Sequence, residues 1–210
     1  MNITSRIQRD EAAFRVGTLE ELTLATGSKR PVPPDTWQPS MRSLLLTWRT
    51  GIEVSRFWAA LESLRVDFHA GDNCRWLGEA GTLREFELHS RKQAGSLDGI
   101  EAAVALQSLR VINYALSGTA PLRPLSQLRV VSLLSAPPGP PHQLIDLADL
   151  ADAPLEAIWV SDAAHLHGIA TLAAHSRLRD VRLIRCRLSP SDHAVLADLP
   201  HQNRVTLIDC

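Results

Sequence analysis

The segment Leu178-Arg-Asp-Val-Arg-Leu-Ile-Arg-Cys-Arg-Leu188 carries apolar residues at steps 0, +3, +5, +8 and +10, counted from Leu178. On an α-helix each residue turns by about 100°, so steps +3 and +5 would point about 160° apart and could not share one buried face. On a β-strand, residues two positions apart lie on the same face. The spacing therefore predicts a short strand that is entered by a turn at Leu178 and left by a turn at Cys186.

The pattern L-x-x-L-x-L recurs along the whole chain. Its copies begin at Leu19, Met41, Leu61, Leu83, Leu106, Leu128, Leu155, Leu178 and, with a polar first residue, Gln202. Successive copies start 20 to 27 residues apart, which matches the period of roughly 20 to 29 residues found in leucine-rich repeats. We therefore predict a single array of repeats, in which each unit buries its apolar residues only against its neighbours.

In this pattern and period the chain resembles the leucine-rich repeat family over about residues 15–210, most strongly in the units from Leu61 to Leu183. The resemblance implies an α/β solenoid, or horseshoe, with about nine short parallel strands on its concave face and helical, 3-10 or extended return segments. Steps +3 and +5 would be buried, whereas steps +2, +4 and +6 would face outward. One domain is expected over residues 1–210, with repeats over 19–210 and an N-terminal cap over 1–18 in which Phe14–Val16 could form a strand.

The chain departs from the family at step +8, where Asn or Cys usually satisfies backbone groups in the turn. Only Cys186 and Cys210 fit that rule, while Asn113 stands one step early. The other units have, in order, Gly27, Arg49, His69, Arg91, Tyr114, Ala136 and Ala163 at this step. Either several turns are irregular, or other groups and water satisfy that backbone.

The return segments are predicted to differ from unit to unit. Helical spacing occurs in 51–60, 97–104, 142–151 and 191–199, the last preceded by the start signal Ser189-Pro190. Residues 120–125 are too short and too rich in proline for more than one helical turn. Proline-rich loops are expected at 27–35 and 136–141, and the second explains the longest interval.

Composition excludes several classes of function. The 210 residues are 45% apolar and 21% charged, with a formal net charge of -1, so no global basic field exists to hold nucleic acid or an acidic membrane. The N-terminus has no apolar run of a secretion signal, and no window of about 18 apolar residues predicts a membrane span. Three cysteines favour a reducing, cytoplasmic location. All but two of the 22 basic residues are Arg, a skew associated with GC-rich bacterial genomes.

Two patches are predicted on the concave face, because neighbouring strands lie about 4.8 Å apart and equivalent steps therefore touch. Steps +4 and +6 give a charged ladder, consisting of Arg65, Asp67, Glu87, His89 and Arg110. Its members either pair with one another on a solvated surface or bind a partner. The same steps give an apolar stripe further along, consisting of Ile112, Leu134, Trp159, Ile184 and Ile208. The stripe serves binding or self-association, or is buried under a loop such as 136–141. Trp159 and Arg182 are together typical of interface anchors.

No motif for catalysis, metal binding or a cofactor is found. His165, His167 and Cys186 lie in one half of the chain without metal-ligand spacing, and neither a P-loop nor G-x-S-x-G occurs. We therefore expect a non-enzymatic scaffold that binds another protein through Arg65, Glu87, Arg110, Ile112, Leu134, Trp159, Arg182 and Ile184. The alternatives are an immunity protein or inhibitor that neutralises a toxin or enzyme, a homo-oligomer joined through its C-terminal unit, and a hydrolase or metal enzyme at His165, His167 and Cys186.

Overall fold

The computed structural model describes residues 21–24, 42–48, 60–135, 139–200 and 204–210. Within these residues nine strands form one parallel sheet in sequence order, interrupted only by β7 and β9, which form a separate two-stranded sheet. The strands are β1 Glu21–Leu24, β2 Ser43–Thr47, β3 Ser63–His69, β4 Glu85–Gly95, β5 Ser108–Leu116, β6 Val130–Leu134, β7 Ile145–Asp146, β8 Ala157–Ser161, β9 Leu166–His167, β10 Asp180–Ile184 and β11 Arg204–Ile208. The predicted solenoid of short parallel strands is confirmed.

The register of the sheet aligns the same step of every repeat. Leu109 pairs with Phe86 on one side and Val131 on the other, and Val181 pairs with Ile158 and Val205. Steps 0, +3 and +5 of the units from Leu61 to Leu178 form the core and are at most 1% exposed. Each such Leu, Ile, Val or Phe contributes roughly 1.5 to 3 kcal/mol by leaving water, so their burial, with that of apolar residues in the return segments, is a large contribution to stability.

The return segments are mostly single turns of 3-10 helix. They span Arg75–Leu77, Ile100–Ala102, Ala120–Leu122, Leu147–Leu150 and Ile169–Ala174. The single turn expected in 120–125 is confirmed. The helical prediction for 97–104 holds only for three residues, and Val104, counted among its apolar positions, is 57% exposed.

The prediction of a helix over 142–151 was wrong for its first half. His142 makes a parallel bridge to Ala163, and β7 pairs with β9, so that Ile145 lies opposite Leu166. The backbone of His142 also donates to the Asp162 carbonyl at 2.8 Å and accepts from the Ala164 amide at 2.8 Å. The backbone is thus satisfied by a segment about twenty residues away, and only Leu147–Leu150 remains helical.

In the described part of the chain, one α-helix, α1 Pro190–Ala197, lies before the last strand. Its start agrees with the sequence signal, because Ser189 and Asp192 form a reciprocal capping box and proline occupies the first turn. Leu196 is its buried residue.

Five of the turns that follow the strands share one backbone conformation, even though the family's usual residues are mostly missing, whereas β4 continues to Gly95 with a shift in register. At step +7, Phe68, Asn113, Asp162, Arg185 and Asp209 all have left-handed backbones, with φ between 51° and 60°. In four of these turns the next side chain, at step +8, lies in the interior, where His69, Tyr114, Ala163 and Cys186 are at most 2% exposed, whereas Cys210 after the last strand is exposed.

Both alternatives left open by the sequence occur, since the register is irregular at the end of β3 and within β4, while side chains at step +8 satisfy backbone groups elsewhere. The Tyr114 hydroxyl lies 3.1 Å from the Gly71 carbonyl and 3.3 Å from the Ser96 carbonyl, and Cys186 Sγ lies 3.5 Å from the Ile184 carbonyl. Tyr114 therefore satisfies backbone groups where the family usually has Asn or Cys, and Cys186 does so as the family pattern expects.

Several predictions fall outside the described residues. These are the N-terminal cap over 1–18, the proline-rich loop 27–35, the helix over 51–60 except its last residue, and residues 136–138 of the second proline-rich loop. In the described part of that second loop, the Ser135 hydroxyl donates to the Pro140 carbonyl at 2.7 Å.

Candidate binding face

The outward side of the nine-stranded sheet, which carries steps +2, +4 and +6, is called the concave face below. It contains all eight residues predicted to bind a partner: Arg65 on β3, Glu87 on β4, Arg110 and Ile112 on β5, Leu134 on β6, Trp159 on β8, and Arg182 and Ile184 on β10. Register places Glu87 beside Arg65 and Arg110, and Trp159 beside Arg182. The alternation of each strand therefore gathers these residues on one surface.

The charged ladder is internally paired. Arg65 Nε donates to Asp67 Oδ1 at 3.0 Å, and His89 Nε2 lies 2.5 Å from Glu87 Oε1. The same Glu87 oxygen is 3.8 Å from Arg65 Nη1 and 3.9 Å from Arg110 Nη1. His89 Nδ1 also lies 3.5 Å from Asp67 Oδ1. Exposed pairs of this kind contribute about 0 to 1 kcal/mol each, so the ladder arranges side chains more than it stabilises the fold.

The apolar stripe is only partly open to solvent. Ile112, Leu134, Trp159 and Ile184 are half-buried, and Ile208 on the last strand is 44% exposed. Between Leu134 and Ile184 at step +6 stands Ser161, which is 4% exposed and donates to the Ser135 carbonyl at 2.7 Å. The stripe is therefore a set of apolar side chains around a small polar gap.

A fixed cluster stands at the centre of the apolar half. Asp180 Oδ2 accepts from Trp159 Nε1 at 3.1 Å and from Arg182 Nη2 at 2.7 Å, while Asp180 Oδ1 accepts from Arg182 Nε at 3.1 Å. The Arg182 guanidinium also lies 4.5 Å from the Trp159 ring centroid, within the range of a cation–π contact. Trp159 and Arg182 are thus held in one arrangement before any partner arrives. We call these three residues the Trp159 cluster.

Asp180 was missed by the sequence analysis, which compared only steps +4 and +6. It stands at step +2, two residues before Arg182 on the same face of β10. The signal that could have found it is an acidic residue at i−2 from an outward arginine on a strand, because such residues share one face.

Ser132 lies between the charged and apolar halves, opposite Arg110 on one side and Trp159 on the other. It is 2% exposed although it faces outward, and its hydroxyl has no hydrogen-bond partner among the residues that the structure describes. Because Ser132 is small, it does not cover the large side chains of Arg110 and Trp159 on either side.

The groups with the largest pKa shifts lie in the interior rather than on the concave face. Burial lowers the pKa of His69 to about 4 and that of His142 to about 4. Burial also raises the pKa of the Cys74 thiol and of the Tyr114 hydroxyl. His69 Nε2 accepts from Trp76 Nε1 at 3.2 Å, and His142 Nδ1 accepts from the Leu116 amide at 3.1 Å. These groups are neutral structural components.

The histidine-rich region beyond β8 does not assemble a ligand set. The rings of His165 and His167 lie 6.3 Å apart, while Cys186 is buried with Sγ against main-chain carbonyls and has a pKa that burial raises. Throughout the described residues, no three His, Cys, Asp or Glu side chains are placed to hold one metal ion. None of the described helices is long and apolar enough to cross a membrane.

Comparison with known proteins gives a likeness in structure only. No model of a protein family matches the sequence, and no characterised protein matches it. Internalin C2 of Listeria monocytogenes is similar in structure, with a TM-score of 0.60 and 17% identity over 82% of this chain and 73% of that chain. The internalin InlF of the same species gives a TM-score of 0.65 and 17% identity, covering 93% of this chain and 58% of that chain.

A chain of the mouse RP105/MD-1 complex is also similar, with a TM-score of 0.51 and 17% identity over 92% of this chain and 48% of that one. The chain thus spans about half the length of the RP105 match and less than two thirds of InlF. Likeness at this identity establishes a shared fold.

Proposed function

Because the chain is a leucine-rich repeat protein in its repeat pattern and in its fold, we propose that it is a non-enzymatic scaffold that binds another protein through its concave face. The observation that carries the proposal is the Trp159 cluster, in which a half-buried tryptophan is fixed by Asp180 and stacked on Arg182. Tryptophan and arginine are the residues most enriched among those that dominate binding energy at interfaces. A prearranged anchor also avoids part of the ordering cost of association.

The surroundings of the cluster support the same use. Leu134 and Ile184 are half-buried neighbours on the concave face, so a partner could remove further apolar surface from water there. The similar mouse RP105 structure was determined as a complex with MD-1, which gives this fold a precedent for a protein partner. The three free thiols, Cys74, Cys186 and Cys210, are consistent with our further proposal of a cytoplasmic location.

The test replaces Trp159 and Ile184 together by Asp. Because both side chains are partly solvent-facing, the fold should survive, and far-UV circular dichroism should be unchanged. Affinity purification of wild-type protein from its native host, followed by mass spectrometry, should identify a partner that the double variant no longer retains. A matched control is Val104→Asp with Leu144→Asp, which places two carboxylates at exposed apolar positions outside the nine-stranded sheet. A partner retained equally by both double variants would refute the proposed surface.

The narrower alternatives have separate tests. An immunity or inhibitor role requires that the retained partner be an enzyme or toxin whose activity falls when the protein is added. Homo-oligomerisation through the C-terminal unit requires a species larger than the monomer in sedimentation experiments at tens of micromolar, and a monomer there would remove it.

A further inference from the structure

Within the ion pairs of the concave face, the arginine side chains are more exposed than the carboxylates that they pair with. The side chains of Asp67, Glu87 and Asp180 are 24%, 27% and 20% exposed. Those of Arg65, Arg110 and Arg182 are 41%, 49% and 37% exposed. In these pairs the guanidinium groups are therefore more open to an approaching molecule than the carboxylates are.

Carboxylate oxygens of Asp180 and Glu87 already have hydrogen-bond partners, whereas some arginine N–H groups on this face have no acceptor among the described residues. Both oxygens of Asp180 accept hydrogen bonds from within the Trp159 cluster. Glu87 Oε1 lies 2.5 Å from His89 Nε2, so its 3.9 Å separation from Arg110 Nη1 is an ion pair without a hydrogen bond. Within the described chain, Arg110 makes no hydrogen bond through its guanidinium. Of the three arginines that form ion pairs on this face, Arg65, Arg110 and Arg182, it therefore has most donors available.

Arg110 also lies at the boundary between the two halves of the face. Ser132 separates it from Trp159 in the sheet, so Arg110 and Trp159 stand two strand spacings apart, about 10 Å. Ile112 follows Arg110 on the same face of β5, and Leu134 lies opposite Ile112 on β6. A molecule bound here would contact a guanidinium with unused donors, aliphatic side chains and an indole within one small area.

We propose that the partner presents an acidic side chain to Arg110 and, next to it, a large apolar side chain to Ile112, Leu134 and Trp159. This inference rests on the proposed function and specifies the chemistry of the partner. A carboxylate accepts paired hydrogen bonds from a guanidinium, and such charge-assisted bonds are roughly twice as strong as neutral ones. The partner's apolar side chain excludes water from the pair of carboxylate and guanidinium, so the contact distinguishes more strongly between acidic and other partners.

The same guanidinium chemistry suits the phosphates of nucleic acid, but the face as a whole does not. Glu85 and Glu87 stand at steps +2 and +4 of β4, directly beside Ser108 and Arg110 on β5. A phosphate backbone crossing the sheet would meet these carboxylates, and the chain's formal net charge of -1 provides no general attraction. A protein segment can place a single acidic group at Arg110 and avoid them.

The experiment uses the full chain and a library of short random peptides displayed on phage. Peptides are selected on wild-type protein, and their affinities are measured by fluorescence anisotropy. We expect the selected peptides to share an acidic residue within a few positions of a large apolar one. Arg110→Glu should weaken their binding by about tenfold or more, and replacing the peptide's acidic residue by Lys should recover affinity for that variant. Arg177→Glu is the matched control, because Arg177 is exposed outside the strands.

Other outcomes separate this inference from the proposed function. Peptides that lose binding to the Trp159→Asp/Ile184→Asp variant, yet lack an acidic residue and ignore Arg110→Glu, would overturn the inference and leave the proposed surface standing. Peptides that ignore every concave-face substitution would overturn both. Binding of a fluorescent single-stranded DNA oligonucleotide at physiological salt, lost in Arg110→Glu, would replace the acidic protein segment with nucleic acid and overturn the inference.

Discussion

In strand β10, Val181 and Leu183 are 0% exposed, whereas Arg182 and Ile184, each one residue further along, are partly open to solvent. The two faces of this strand are organised differently. The interior face is held by apolar packing against equivalent residues of the neighbouring units. The concave face is held by hydrogen bonds and ion pairs, such as those from Arg182 and Trp159 to Asp180.

The difference assigns stability and recognition to separate sets of residues. Each interior residue contacts units on both sides, so its loss weakens two interfaces in a solenoid. Concave-face pairs lie partly in water and contribute little to folding. Side chains on that face can therefore change, or bind a partner, without endangering the array.

The strongest test of this division between the interior and concave faces is to change two adjacent residues on β5. Leu109 is fully buried, so Leu109→Ala should lower the free energy of unfolding by about 2 to 5 kcal/mol, through lost apolar burial and a cavity. Arg110 is half exposed with one distant ion pair, so Arg110→Ala should cost less than about 1 kcal/mol. Urea unfolding followed by circular dichroism measures both. Equal losses would show that the two faces do not divide these roles.

A second prediction concerns the protonation of buried histidines, because burial in the interior disfavours a charged imidazole, whereas charged side chains are common on the concave face. Burial lowers the pKa of His69 and of His142 to about 4 in the folded state, against 6.5 for the free side chain. Between those values the unfolded chain binds more protons, so stability is fully present above about pH 6.5 and falls as the pH decreases toward 4. The expected slope near pH 5 to 6 is on the order of 1.4 kcal/mol per pH unit for each histidine.

Urea unfolding at a series of pH values from 5 to 7.5 tests this slope. His142→Gln retains an acceptor for the Leu116 amide and removes one titrating group, so its slope should be smaller than that of the wild type. Stability independent of pH over this range, or an unchanged slope in the variant, would contradict the neutral interior.

The sequence was most informative where its pattern repeats. Steps +3 and +5 were predicted to be buried, and Leu109 and Val181 at step +3 are fully buried while Arg110 and Arg182 face outward. The signal is strong because a strand's alternation and the repeat period must both agree in every unit. The face occupied by each predicted binding residue followed from the same rule, and its role in binding remains a prediction.

Return segments were predicted less well, because their structure depends on contacts distant in sequence. The apolar spacing of 142–151 suits a helix, yet Ile145 pairs with Leu166 in a separate small sheet. Local spacing contains no information about that neighbour. The turns are a similar case, since Tyr114 and Cys186 use different atoms to satisfy the same kind of backbone group.

The smallest expected effect on stability is at the Trp159 cluster. It tests the comparison between the two faces through a residue of the concave face. Asp180→Ala removes three hydrogen bonds from a partly exposed position, so the free energy of unfolding should fall by less than about 1 kcal/mol. The effect on local order should be larger, because both the Trp159 indole and the Arg182 guanidinium lose their shared acceptor.

Fluorine NMR on protein labelled with 5-fluorotryptophan can separate these two effects. The Trp159 resonance is assigned by its absence from the spectrum of Trp159→Phe, and in Asp180→Ala it should shift and narrow as the ring becomes mobile. Asp152→Asn, at an exposed residue outside the strands, should leave that resonance unchanged. A loss above about 2 kcal/mol with an unaltered resonance would make Asp180 a structural residue, since exposed ion pairs do not supply that much. A mobile ring in a stable fold would instead show that Asp180 orders the binding face while the interior alone maintains the solenoid.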